Sequence, residues 1–378
     1  MKRMMSLCLV LVLALAGGSA LAADDTVRIG VFLPLTGQNA FGGQLELEGV
    51  QMANKEMPEV MGKKVELFVV DNKSDKVESA NAVKRLISKE KVVAIIGTYG
   101  SSLAMAGGEV AEKAGVPMVG TSCTNPLVTQ GKKYIFRVCF IDPFQGAGAA
   151  TYAYRDLGLK KAALLIDVAN DYSVGLASFF QKSFAKMGGE VVANLKYQSG
   201  DQDFTAQLTE IISKQPDVMF IPSYFAEGAI IMKQAQELGA GFRIMGGDAM
   251  DNPKIIEIGG SAVEGFFHTT FPYDPSMKEM NPVARKFTDD WKKSFPKKEP
   301  NVNAALGYDA YMLVMDAIQR AGKADPEAIT QALAGTSGFE GVTGATTINA
   351  THDAEKPVGL VEIKEGKKTY VGSITPEL

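Results

Sequence analysis

"VVAIIGTYGSSLAM", residues 92–105, starts as a run of apolar β-formers, breaks at Gly97 into Thr-Tyr-Gly-Ser-Ser, and turns helical. A strand apolar on both faces that runs through a glycine turn into a helix reads as half of a parallel βαβ unit. The turn places two consecutive hydroxyls, Ser101 and Ser102, at the helix start. There a hydroxyl and unpaired backbone N–H groups can serve one anion, and a plain serine cap uses the same position.

The same alternation extends both ways. "VRIGVFLPL", "GGQLELEGVQMANKEM", "KVELFVVD" and "VESANAVKRLISKE" precede the stretch, and "SLAMAGGEVAEKAG" and "VPMVGTS" follow it. A second series then begins with "KKAALLID", "SVGLASFFQKSFAKMG" and "EVVANLKYQ", and runs on through "PDVMFIPS" and "EGAIIMKQAQELG" to "FRIMGGD". The fold class is therefore α/β, with two doubly wound lobes. "RVCFIDPFQG", where Pro143 disfavours helix at Asp142, gives a first crossing between lobes, and "FHTTFPYDPSM" near Phe271 a second. Two long helical stretches, a shorter one from Pro326 and a hairpin turning at Glu365-Gly366 complete the chain. If the helices join the first lobe and the hairpin the second, a third crossing falls near Gly341. The expected lobes are 23–141 with 273–340, and 142–272 with 341–378. Three crossings make a hinge, with a ligand cleft between the lobes.

The chain has 378 residues, 46% hydrophobic and 22% charged, enough for two ordinary cores. Residues 1–22 stand apart: Lys2 and Arg3, the apolar "LCLVLVLALAGG", then Ala20-Leu21-Ala22, the pattern of a secretory signal peptide cleaved after Ala22. Its apolar core is shorter than the ~20 residues of a membrane span, and no later segment reaches that length. The expectation is an exported periplasmic protein, and without a cysteine at the cleavage site no lipid anchor is expected. Losing Lys2 and Arg3 from the 39 basic residues, against 43 acidic ones, moves the formal net charge from −4 to −6. That charge argues against nucleic acid and anionic membrane surfaces as partners. Cys123 and Cys139 remain where disulfides can form, and their spacing leaves pairing open.

In open parallel sheets ligands bind beyond the carboxyl ends of the strands. In the first series those ends carry "TGQNAFGG" with Phe41, then Thr98, Tyr99 and Ser101, then Thr121, Ser122, Cys123 and Thr124. The second series offers "DVANDYSVG" with Tyr172, "SYFAEG" with Tyr224, and "GGDAMDNP" with Asp248. Hydroxyls and helix starts gather on one side, aromatics and a carboxylate on the other. Such a cleft suits a zwitterion, whose carboxylate meets N–H and O–H donors while its ammonium meets an acid. Singly, Tyr172 and Tyr224 read equally well as half-buried tyrosines, Asp248 as a helix cap and Phe41 as core.

The whole chain beyond the leader resembles the periplasmic leucine/isoleucine/valine-binding family, the type I solute-binding proteins of branched-chain amino-acid ABC transporters. "VRIGVFLPLTG" is similar to the family's opening strand and loop, "FRVCFIDPFQG" to its first crossover, "NDYSVGLA" to its aromatic-bearing loop, and "MKQAQELG" with "IMGGD" to the stretch before its acidic anchor. The resemblance implies Ser101 and Thr124 on the ligand carboxylate, with the main chain of Tyr99 and Ser122 nearby. It implies Asp248 on the ammonium, Tyr172 and Tyr224 as aromatic contacts, and Phe41 in the side-chain pocket. It also implies an apolar or branched-chain amino acid as ligand, a membrane permease as partner, a monomer, and no cofactor. Two departures stand out: the family acid is often Glu, one methylene longer than Asp248, and its intralobe disulfide has no counterpart pair here.

An exported hydrolase is the rival from another class. The chain lacks G-x-S-x-G, HExxH and CxxC, and its two histidines, His268 and His352, follow no first-series strand, so no catalytic residue and no metal ligand is assigned. A sensor ectodomain would continue into a membrane span. A carrier of amides, urea-like compounds or aromatic acids keeps the transport role, but leaves the Asp248 carboxylate without a cation.

Overall fold

The structure is a computed structural model and describes residues 26–375; the expected signal peptide lies outside them. In chain order the elements begin with β1 (Thr26–Leu33), α1 (Ala40–Glu56), β2 (Glu59–Val60), β3 (Lys63–Asp71), α2 (Lys76–Ser88), β4 (Ala94–Ile96), α3 (Ser101–Ala114), β5 (Met118–Gly120) and β6 (Ile135–Arg137). The chain then runs through α4 (Asp142–Thr151), β7 (Lys161–Asp167), α5 (Asp171–Lys186), β8 (Glu190–Tyr197), α6 (Thr205–Ser213), β9 (Val218–Ile221), α7 (Phe225–Glu237), β10 (Arg243–Gly246), α8 (Lys254–Gly259) and β11 (Phe267–Thr270). After it come α9 (Pro282–Ser294), α10 (Val302–Ala321), α11 (Pro326–Ala334), β12 (Phe339–Gly341), β13 (Gly344–Thr346), β14 (Val358–Lys364) and β15 (Lys367–Ile374).

Two sheets result, ordered β2-β3-β1-β4-β5-β6 and β15-β14-β11-β10-β9-β7-β8. Strands β1 and β3–β6 run parallel, as do β7–β11, while β2, β14 and β15 are antiparallel. The alternation within β1 explains why helices cover both faces. Val27, Ile29, Val31 and Leu33 point into the core shared with α1 and α10, whereas Phe32 joins Val83, Leu86 and Ala104 on the other face. β7 divides likewise: Ala163 and Leu165 face one core of the second lobe, Ala162, Leu164 and Ile166 the other.

Helices α1 and α10 meet at reciprocal glycines. A Cβ at Gly49 would stand 1.9 Å from the Ala304 carbonyl oxygen, and one at Gly307 2.1 Å from that of Glu46. That contact carries α10, late in the chain, back onto the first lobe. Pro143 sits in the first turn of α4, where its missing N–H costs nothing, so the helix starts at Asp142 itself. Val342, Ile348 and Ala354 pack into the first-lobe core, and the chain joins the second sheet at Val358. The last passage thus lies later than the Gly341 expected from sequence, because the β12–β13 hairpin rests on α9 and α10. Cys123 and Cys139 are buried free thiols. Among the described residues, no helix is long and apolar enough to cross a membrane.

Candidate functional site

The first-lobe wall is built from turns that leave β4 and β5. Gly100 adopts φ +102°, a left-handed conformation open to glycine, and a Cβ there would lie 2.9 Å from the Tyr224 hydroxyl of the opposite lobe. Directly after it, Ser101 opens α3 and is buried. Its Oγ accepts the Asn125 N–H at 3.1 Å, which leaves the hydroxyl hydrogen to donate elsewhere. Ser122 donates to Asn303 Oδ1 at 3.3 Å, and its carbonyl accepts the Gly100 N–H. Thr124 is buried, and its carbonyl receives the Asp142 N–H at 2.8 Å.

Arg137, fully buried, supports this wall from behind. It pairs with Asp353 at 2.8 Å and donates to the Asn125 carbonyl at 3.0 Å and to Thr129 Oγ1 at 2.7 Å. The buried side chain of Glu46, on α1, accepts the Thr121 hydroxyl at 2.6 Å, and burial pushes its carboxyl well above the usual range.

Asp248 anchors the second wall, in the turn after β10. Its Oδ1 accepts from Gln145 Nε2 at 2.8 Å and from the Tyr172 hydroxyl at 2.9 Å. Both bonds fall on one oxygen; the backbone N–H of Asp248 also faces its own carboxylate, and among the described residues no side chain donates to Oδ2. Burial raises Asp248 to about 6, against the lowering effect of those two donors. Burial also raises Asp142 well above the usual carboxylate range, and the Asp248 charge adds to that. Tyr172 and Tyr224 stand with ring centroids 5.7 Å apart, and Tyr99 lies 5.5 Å from Tyr224. Burial raises all three phenols, which remain neutral donors.

The lobes meet across these walls. Ser102, the second hydroxyl of the opening turn, donates to Asp171 Oδ2 at 2.8 Å and accepts its N–H at 3.1 Å. Lys76 pairs with the same carboxylate at 3.0 Å, and Asn125 Nδ2 donates to the Asp171 carbonyl at 2.8 Å. Tyr99 reaches the Ala249 carbonyl, and Asn303 Nδ2 the Asp251 carbonyl at 3.3 Å. The two serines therefore differ: Ser101 braces its own lobe through the Asn125 N–H, and Ser102 fastens one lobe to the other.

Of the residues singled out from sequence, Ser101, Ser122, Thr124 and Tyr99 share the first wall, and Asp248, Tyr172 and Tyr224 the second. Phe41 stands at the rim, half-buried, edge-on to Phe225 and 5.6 Å beneath the Lys254 ammonium. Sequence reasoning missed Gln145, Asn303 and Asp171. Gln145 offered one signal, a place one helical turn after Asp142 in the crossover. The histidines lie elsewhere: His268 donates through Nδ1 to the Thr269 carbonyl, and His352 stacks on Phe136. Among the described residues, no cluster of His, Cys, Asp and Glu could hold a metal ion. Chemically, the arrangement offers the buried Asp248 carboxylate on one side and a helix start with several neutral hydroxyls on the other.

A profile of the family described as periplasmic binding protein matches residues 26–368. The chain is 46% identical to a leucine-binding protein, LivK, from Thermotoga maritima, with a TM-score of 0.90 over 93% of this chain and 99% of that one. It is 32% identical to LivJ, a branched-chain amino acid transporter substrate-binding protein of Streptococcus pneumoniae solved with isoleucine, with a TM-score of 0.85 over 92% and 99% of the two chains. A Leu/Ile/Val-binding protein homolog of Brucella melitensis is 29% identical over 350 residues, 90% of this chain and 92% of that protein.

Proposed function

Because the chain belongs to the periplasmic binding protein family, we propose that it is an exported solute-binding protein. It captures an amino acid, branched-chain or otherwise apolar, between its lobes and delivers it to the membrane permease of an ABC transporter. In this reading the ligand carboxylate lies on the start of α3, taking the Ser101 and Thr124 hydroxyls with the backbone near Tyr99 and Ser122. The ammonium meets Asp248, and Tyr172, Tyr224 and Phe41 bound the apolar part.

The observation that carries the reading is Asp248: a buried carboxylate held by two neutral donors on Oδ1, with Oδ2 left over. Such a group is unfavourable until a cation meets it. An ammonium supplies that cation and an amide or simple acid does not. Calorimetric titration with leucine, isoleucine and valine against their des-amino analogues, such as 4-methylpentanoate, tests it. Tight binding of the amino acids with at least hundredfold weaker binding of the analogues is expected. Preference for the des-amino acids or for benzoate-like carboxylates would replace the amino acid with an organic acid as cargo.

A further inference from the structure

We infer that Gln145 is the positioning residue of this cleft, the side chain that fixes the Asp248 carboxylate with Oδ2 turned to the ligand. The inference rests on the reading that Asp248 receives the ligand's ammonium, and it assigns a role to a residue that does not touch the ligand.

Gln145 is completely buried, and every polar atom of its amide is engaged. Oε1 accepts the backbone N–H of Asp248 at 2.8 Å and the Thr269 hydroxyl at 2.7 Å. Those two donors settle which way the amide faces, so Nε2 must point at the carboxylates. It donates to Asp248 Oδ1 at 2.8 Å and to Asp142 Oδ1 at 3.3 Å. Gln145 thus grips Asp248 twice, at the main chain and at the carboxylate, and a rotation of the Asp248 side chain breaks the carboxylate bond to Gln145 and the Tyr172 bond together. Its helix, α4, lies at the first crossing between lobes, and Asp142 one turn earlier donates its N–H to the Thr124 carbonyl and accepts the Thr124 hydroxyl on its carboxylate. One helical turn therefore links the residues assigned to the two ends of the ligand.

Gln145 also bears on the charge of Asp248. The titratable and charged groups around that carboxylate are Asp142 on α4, Cys139 just before it, Tyr172 on α5, Tyr224 before α7, Tyr99 from the first lobe, and Asp251 on its own turn, where Lys368 of β15 neutralises it. No cation among them pairs with Asp248, so donated hydrogen bonds hold it ionised. Removing the nearer amide donor must move its ionisation upward.

The test is leucine titration at several pH values, with Gln145→Met, Asp248→Asn and the double variant beside the wild type. Gln145→Met keeps the length of the side chain and loses all four hydrogen bonds. At pH 7 it should weaken leucine binding by about 10- to 100-fold, and the acid limb of the affinity profile should move to higher pH, with part of the loss recovered at pH 9. In the Asp248→Asn background the same change should add little, since no charge remains to be held. A pH-independent loss of equal size in both backgrounds would make Gln145 a packing residue and overturn the inference, as would wild-type affinity and profile in Gln145→Met. If Asp248→Asn itself keeps full leucine affinity, the ammonium reading falls instead. Should Gln145→Met fail to fold, Thr269→Val, which frees the amide from its outer partner, should give a smaller shift of the acid limb in the same direction, and an unmoved limb refutes the inference.

Discussion

The two walls of the cleft are held in opposite ways. Behind the first-lobe wall stands a charge, Arg137, neutralised by Asp353 and bonded to the carbonyls of the 123–126 loop. Behind the second stands a neutral amide, Gln145, bonded to the charge that the wall itself presents. In the proposed reading the first wall offers neutral donors to the ligand's carboxylate, so its support can carry charge of its own. A cation placed behind Asp248 would neutralise the carboxylate before any ligand did. A binding site that must meet an ammonium needs a support that orients without pairing.

That contrast sets the order of expected effects. Arg137→Met leaves Asp353 buried without its cation, and breaking such a pair costs about 3–5 kcal/mol. The midpoint of denaturant unfolding should drop accordingly; an unchanged midpoint would mean that the first wall does not depend on this ion pair.

Asp248→Asn separates binding from folding. An Asn oxygen still accepts from Gln145 and Tyr172, so only the charge is lost, and leucine affinity should fall by a factor on the order of 10² or more. Without ligand the variant should be the more stable protein at neutral pH. The carboxyl, at 3.8 when exposed, lies at about 6 in the fold. Between those values the folded state binds the extra proton, so this group's contribution to stability declines as pH rises through the window and is fully unfavourable above it, by roughly 3 kcal/mol. Thermal unfolding at pH 4 and pH 8 checks the sign: the advantage of Asp248→Asn over wild type should grow with pH, and a shrinking one breaks the comparison.

Smaller losses are expected on the first wall, where no single group carries the charge. Ser101→Ala and Thr124→Ala should each weaken leucine binding by about 1.5–3 kcal/mol, the range for hydrogen bonds to charged partners. If both bind as wild type does, these hydroxyls only cap and brace their own turns. The smallest effect belongs to Lys76→Met, at the edge of the interlobe clasp, where both Lys76 and Asp171 are about half exposed. Pairs of that kind contribute about 0.2–1 kcal/mol. The change should raise the ligand's dissociation rate a few-fold at low salt and fade near 1 M salt, where charges are screened within ~3 Å. A large, salt-insensitive change would point to a structural role.

The same contrast explains what could be read from sequence. The first wall comes from residues next to their own strand ends, as with Ser101 five positions beyond Ile96, so alternation and turn chemistry bring them to one place. The two-lobe α/β architecture was legible for the same reason, because β1 and β7 each divide their side chains between two helical layers. On the second wall Asp248 and the tyrosines also follow strands and were visible. Their meaning depends on Gln145, 103 positions away from Asp248, and no local pattern reveals that pairing. Asn303 shows the same limit, since it reaches Ser122 at a separation of 181 only because the Gly49–Gly307 contact brings α10 home. The third passage between lobes was placed too early because nothing in "FEGVTGATTINA" says that its hairpin packs on α10 rather than leaving it.

The central claim is that a buried carboxylate without a cation waits for an ammonium, and it is tested most directly by counting protons. Leucine titrations near pH 6, in buffers of different ionisation enthalpy, report how many protons leave on binding. Asp248 titrates at about 6 in the free protein, so an arriving ammonium should drive off about half a proton at that pH, and affinity should fall roughly tenfold per pH unit further down. Binding that exchanges no proton and keeps constant affinity from pH 8 to pH 5 would contradict the account.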